Sequence, residues 1–191
     1  DPVLEKSKLE EAFSFFSETI NRVFGTGEYT SNEVAEYLQT TDDSQSKYET
    51  TEGGMFLFKY EPTTKRKLKY YDSLPLIINI GKTSDSIIGL NLHYLPIRQR
   101  LAFMRGFFGD SNMGDIEEDD IQNTLQKIST YRFVKPTYKQ YKYIGITSRL
   151  IRIPVQNWLM ASLLPISKFE KRSRREVWED SIRIINKEER S

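Results

Sequence analysis

Leu9, Phe13, Phe16, Ile20 and Val23 recur at intervals of four, three, four and three residues, the spacing of a heptad seam. They predict an amphipathic helix over residues 3–24, with Glu5, Glu10, Glu11 and Arg22 off the seam. Gly25 and Gly27 stop it, because glycine accepts the left-handed conformation that ends many helices. The seam serves one of two ends: packing on the chain's own domain, or docking as an arm on a neighbouring subunit. Thr30-Ser31-Asn32-Glu33 opens a short turn of helix through Leu38. The polar run 39–54 then reads as a linker closed by Gly53-Gly54. Residues 1–52 are thus expected to form a helical arm and linker, and 53–191 the main domain.

From Met55 the period changes to two. Met55, Leu57 and Lys59 point one way and Phe56, Phe58 and Tyr60 the other, as in a strand ended by Pro62. A second strand is predicted over Leu74–Ile80, with Pro75 marking its start or a sheet edge. Gly81–Ser86 turns the chain, and Ile87–Tyr94 returns with Ile88, Leu90, Leu92 and Tyr94 on one face. These runs predict a small curved antiparallel sheet of SH3-like size.

Helical spacing then takes over. Pro96 suits a helix start, since its missing N–H costs nothing there, and Ile97, Leu101, Met104 and Phe108 form the stripe beside charged Arg98, Arg100 and Arg105. Asp115–Asp120 opens a further helix with carboxylates at its positive end, and Ile121, Leu125 and Ile128 carry its buried side. Pro136 breaks any long helix in Tyr131–Tyr143, Arg149–Ile153 is a candidate strand, and Val155–Ser162 is a short helix. Ser167 is the expected cap of a last helix to about residue 188, packed through Val177, Trp178, Ser181, Ile182 and Ile185. The fold class is α+β: the small sheet, a mostly helical C-terminal half, and the N-terminal amphipathic helix.

Composition narrows the function. Lysine and arginine total 28 against 27 acidic residues, so no global field draws the protein to nucleic acid and any such binding is local. There are no cysteines, which removes disulfides, thiol catalysis and zinc-thiolate sites. No run of about 18 apolar residues predicts a membrane-spanning helix. The chain opens Asp1-Pro2-Val3, with no signal-peptide pattern. Aromatic residues reach 13%, which points to a core and interfaces built from rings.

Candidate chemistry is sparse. His93 is the sole histidine, so no histidine-spaced metal motif exists, and a half-exposed or hydrogen-bonded structural role is expected for it. Glu117, Glu118, Asp119 and Asp120 point in different directions around a helix and read as a solvated helix start. Gly81-Lys82-Thr83 resembles the end of a phosphate-binding loop, but Leu76 stands where that motif requires glycine. No catalytic residue, metal or cofactor is expected, and the protein is expected not to be an enzyme. No small-molecule substrate and no membrane partner are expected either.

Three basic segments remain: Lys59 with Lys65–Lys69 and Tyr70-Tyr71, the aromatic and basic run Tyr131–Tyr143, and Lys168–Arg175. Lysine and arginine bind phosphates with release of counterions, and tyrosine stacks on exposed bases.

The motifs Met55-Phe56-Leu57-Phe58-Lys59-Tyr60, Leu68-Lys69-Tyr70-Tyr71-Asp72, Leu74-Pro75-Leu76 and Gly89-Leu90-Asn91-Leu92-His93-Tyr94-Leu95-Pro96 resemble a structural protein family of T4-like tailed phages, the DNA end-protector family. Trp158-Leu159-Met160-Ala161 and Glu176-Val177-Trp178-Glu179-Asp180-Ser181 are similar to its C-terminal half, so the resemblance covers about residues 53–183. It implies a minor virion component, made in the host cytoplasm, that binds the packaged genome's ends and shields them from exonucleases. Its partners would be other virion proteins and double-stranded DNA ends. The candidate DNA contacts are Lys135, Tyr138, Lys139, Tyr141, Lys142, Lys171, Arg172, Arg174 and Arg175. The alternative is a baseplate or neck assembly subunit without DNA contact, docking through Leu9, Phe13, Phe16, Ile20 and Val23.

Overall fold

The alternation that begins at Met55 builds the middle of an antiparallel sheet. A computed structural model describes residues 52–108, 118–128, 131–153, 155, 158–163 and 166–187. The helix and docking seam predicted over 3–24, and the linker up to Thr51, lie outside the described residues. Five strands, β1 (Met55–Leu57), β3 (Leu76–Lys82), β4 (Ser86–Asn91), β5 (Tyr138–Lys142) and β6 (Ile151–Ile153), pair in the order β5-β4-β3-β1-β6. Every pairing is antiparallel. A second sheet pairs β2 (Tyr71–Asp72) with β7 (Phe169–Glu170). Four helices, α1 (Ile97–Phe108), α2 (Glu118–Ile128), α3 (Trp158–Leu163) and α4 (Arg174–Lys187), complete the described elements with 3-10 turns at Leu92–Tyr94, Arg132–Thr137 and Tyr143–Gly145.

Each sheet face has its own core. Met55, Leu57, Leu76, Ile78 and Leu90 pack with Phe103 and Met104 of α1, Ile121, Leu125 and Ile128 of α2, and Trp158 of α3. The opposite face gathers Phe56, Phe58, Tyr60, Ile77, Ile87, Tyr141 and Ile146. Tyr141 meets Phe58 and Tyr60 edge-on, with centroids 5.3 and 4.8 Å away. Such pairs add about 0.5–1.5 kcal/mol beyond the area they bury. The face assignments for residues 55–60 therefore hold, although the regular strand ends at Leu57 and Tyr60 joins only by a bridge to Ile146.

Other expectations need correction. The Gly53-Gly54 pair does more than close a linker: Gly53 N–H donates to Asn79 O and Asn79 N–H to Gly54 O, continuing the β1–β3 ladder. Gly53 has φ +81°, a conformation that glycine adopts without strain. The return strand ends at Asn91, whose side-chain oxygen accepts from His93 N–H and turns Leu92–Tyr94 into a 3-10 helix. Arg100, expected among the exposed charges of α1, is 1% exposed, beside a buried stripe of Phe103 and Met104.

The C-terminal half combines its helices with β5, β6 and β7, so the sheets draw strands from beyond Tyr94 as well. The last helix begins at Arg174, not after Ser167. Ser173 Oγ accepts from Glu176 N–H while the Glu176 carboxylate accepts from Ser173 N–H, a reciprocal capping box. Residues 169–170 are free to pair with β2 because the helix starts later.

Candidate nucleic-acid interface

An acid buried in the middle organises the basic segments. Asp72 is 1% exposed and accepts from Leu74 N–H (3.0 Å) and Lys168 N–H (3.3 Å) on one oxygen. Its other oxygen takes the Asn91 amide (3.0 Å) and lies 2.7 Å from His93 Nδ1. Asn91 Nδ2 also donates to Tyr141 Oη at 2.8 Å. One carboxylate thus ties the strand after the first basic segment, the approach to the third, the end of β4 and, through Asn91, the strand carrying the second.

The first and third segments are stitched together directly. Lys171 Nζ donates to the carbonyls of Lys65 and Leu68. Lys171 has φ 72°, a left-handed conformation that costs a non-glycine residue about 1–2 kcal/mol. Lys69 Nζ lies 2.7 Å from Asp180 Oδ2 on α4. Burial, and then the Asp180 carboxylate, pushes the adjacent Tyr70 hydroxyl up to about 12. The loop Thr63–Lys69 is exposed throughout, so Lys65, Arg66 and Lys67 stand out beside the start of α4.

The second segment joins through aromatic rings. Lys139 Nζ sits 4.1 Å above the Tyr94 ring, which meets Phe169 edge-on at 5.1 Å and lies 6.1 Å from Tyr70. Burial lowers the Lys139 ammonium to about 8, so this cation is committed to the ring more than to solvent. Tyr138 is 55% exposed and presents a stacking face, whereas Tyr141 lies in the aromatic core with its hydroxyl on Asn91. Tyr141 does not stack on a base from that position. Lys142 is exposed but stands apart, with Nζ 3.8 Å from Asp85 beside the β3–β4 turn, ~13 Å from Tyr138 at about 3.3 Å per strand residue.

Among the arginines and lysines of the third segment, roles also divide. Arg174 Nε donates to Ser167 Oγ at 2.8 Å and its guanidinium lies 5.8 Å from the Trp178 ring centroid. Arg172 and Arg175 are exposed and each pairs one turn along the helix, with Glu176 and Glu179. Exposed pairs of this kind are worth about 0–1 kcal/mol, little enough for a phosphate to displace. Lys135 is exposed on the 3-10 turn that packs against α4.

A family model described as Phage T4 terminal DNA protecting protein matches residues 6–181. The chain belongs to that family. No curated protein and no solved structure gives a significant match. The terminal DNA protecting family match begins well before Met55, so it takes in the predicted arm, which the sequence motifs at 53–183 do not reach. It carries nothing toward the baseplate or neck alternative. Among the described residues no helix is long and apolar enough to cross a membrane.

Sequence reasoning missed Asp72 as a hub, since its four donors come from positions 2 to 96 residues away. It placed His93 correctly as a hydrogen-bonded structural imidazole, though the ring is fully buried rather than half exposed. His93 Nε2 has no hydrogen-bond partner among the described residues. Burial lowers the His93 pKa below its usual value; Asp72 pulls it back only in part, and Arg100 and Arg174 push it further down. Unfolded chains therefore bind the extra proton first. The contribution of this group to stability is present above about pH 6.5 and is lost as pH drops, with a slope of at most about 1.4 kcal/mol per pH unit. Urea midpoints between pH 7.5 and 5 check this, and His93→Gln is expected to flatten the profile.

Proposed function

We propose that this protein binds the ends of duplex DNA in a phage particle and shields them from exonucleases by covering them. The observation that carries the proposal is convergence. Lys65, Arg66 and Lys67, with Arg172 just ahead of α4, gather beside the Tyr70–Tyr94–Phe169 cluster in a chain whose net charge is only +1. Segregated charge of this kind attracts phosphates locally where the molecule as a whole does not. Family membership supports the same reading through the family's description.

Protection is proposed to be steric rather than enzymatic. The Asp72–His93 pair is 0% exposed at both side chains, so substrate has no path to it. Residence in the virion and contact with other virion proteins belong to the same proposal.

The test is anisotropy of a labelled blunt duplex across a salt series. Combined Lys65→Ala, Arg66→Ala, Lys67→Ala and Arg172→Ala is expected to weaken binding and to make the log–log salt slope shallower by about 0.9 for each phosphate contact removed. An unchanged affinity and slope would sink the proposed face.

A further inference from the structure

Beside the basic loop, α4 and the start of α1 enclose an open groove of ≈ 740 Å³. Pro96, Trp178 and Ile182 supply its apolar part, and Arg174, Arg175 and Arg183 its cationic part. Glu179 also lines it, with its carboxylate held by Arg175 Nε at 3.1 Å. Arg183 pairs with Asp180 at 3.2 Å, and the side chains of Arg175 and Arg183 remain 89% and 73% exposed.

A fourth guanidinium lies underneath. Arg100 is 1% exposed, 5.4 Å from the Trp178 ring centroid, and donates to Leu95 O, Ser162 O and His93 O. These acceptors are neutral carbonyls, so they solvate the charge without cancelling it. Trp178 Nε1 donates to the same His93 carbonyl at 2.8 Å, which fixes the indole over this cation.

The groove therefore couples an apolar floor to the guanidinia of Arg174, Arg175 and Arg183 above the buried Arg100 cation, with Arg175 and Arg183 held only in exposed ion pairs with Glu179 and Asp180. The complementary ligand has a flat apolar face bordered by anions. The interior of a duplex offers no such face, because its bases are stacked on both sides. The last base pair of a blunt end does, with phosphates at both flanks.

We propose that this groove receives the terminal base pair of a duplex, stacked on the floor that Trp178 and Ile182 form, with the exposed Arg175 and Arg183 on the flanking phosphates. The inference rests on the DNA-end reading above and adds the site that tells an end from an interior. A helical protein partner fits the apolar floor but gives no reason for the ring of guanidinia.

Competition between blunt linear duplex and covalently closed circular duplex, with the full chain, tests it. Wild type is expected to prefer the linear form, Ile182→Asp to lower that preference about ten-fold while closed-circle binding persists, and the rim variant Arg175→Ala with Arg183→Ala to lower it while weakening the binding of both forms. Tryptophan fluorescence gives a second readout in the unmodified protein. Trp158 is buried, so quenching by a blunt duplex and not by a closed circle reports stacking at Trp178.

No DNA binding, or no preference for ends, would overturn the parent reading and the groove with it. A preserved preference in both variants, without quenching, would overturn the groove alone. Preserved preference with lost co-assembly into particles would assign the groove to a protein partner and likewise overturn this inference.

Discussion

Asp72→Ala unfolds at much lower urea, with an expected loss of about 3–5 kcal/mol. The size follows from the number of donors stranded. The backbone N–H groups of Leu74 and Lys168 and the side-chain donors of Asn91 and His93 all lose the carboxylate that accepts from them. Water does not replace the carboxylate easily, since Asp72, Asn91 and His93 are all buried. A buried donor left without an acceptor costs about 1–3 kcal/mol, and relaxation of the β2–β7 pair relieves some of the four. Asp72→Asn keeps the volume but turns an amide toward donors, so it is expected to recover only part of the loss. A double-mutant cycle with His93→Gln is expected to show strong coupling, since the two side chains touch. A loss below about 1 kcal/mol for the alanine variant would mean that the network is not cooperative. Because the same carboxylate draws the basic segments together, DNA affinity is expected to fall with stability.

Arg100→Ala is expected to cost about 3–5 kcal/mol by a different route. The guanidinium is a spacer with donors on several sides: it holds the carbonyls of Leu95 and His93, which follow the main sheet, and that of Ser162 in α3. Alanine leaves these acceptors buried and opens a hole beside Trp178. Burial lowers Arg100 to about 10, with Arg174 pushing the same way, yet it stays charged at neutral pH. Arg100→Lys keeps the charge but not the planar fork, so an intermediate loss is expected. Chemical denaturation of the three proteins side by side checks the order. Equal stability of the lysine variant and the wild type would show that charge, not geometry, is what the site needs.

The parts of the fold legible in sequence are those governed by local periodicity. Alternation placed Phe56, Phe58 and Tyr60 opposite Met55 and Leu57, and helical spacing placed Ile121, Leu125 and Ile128 inside. Where charge and burial conflict, periodicity misleads: Arg100 reads as solvent-facing because nothing local announces three carbonyls waiting for it. The run from Tyr131 to Tyr143 hid a strand, since its lysines look like a surface and its pairing partner lies about fifty residues earlier. One miss was avoidable, because Ser173 three residues ahead of Glu176 is a local signature of a helix start.

At the candidate interface the sequence listed the cations but not their duties. Lys171 staples a loop, Lys139 caps a ring and Arg174 braces Ser167, while Arg172 and Arg175 stay exposed in weak helix pairs. Those differences depend on long-range packing, which no spacing rule encodes.

Among the described residues the strand order leaves β5 and β6 at the margins of the main sheet. A bare margin invites a strand from another molecule to continue the ladder, the first step toward fibrils or uncontrolled clustering. On β5, exposed Lys142 stands along that margin, and desolvating it against a second like strand is unfavourable. Lys142 thereby has a use apart from any nucleic acid: it keeps identical molecules from zipping together when crowded.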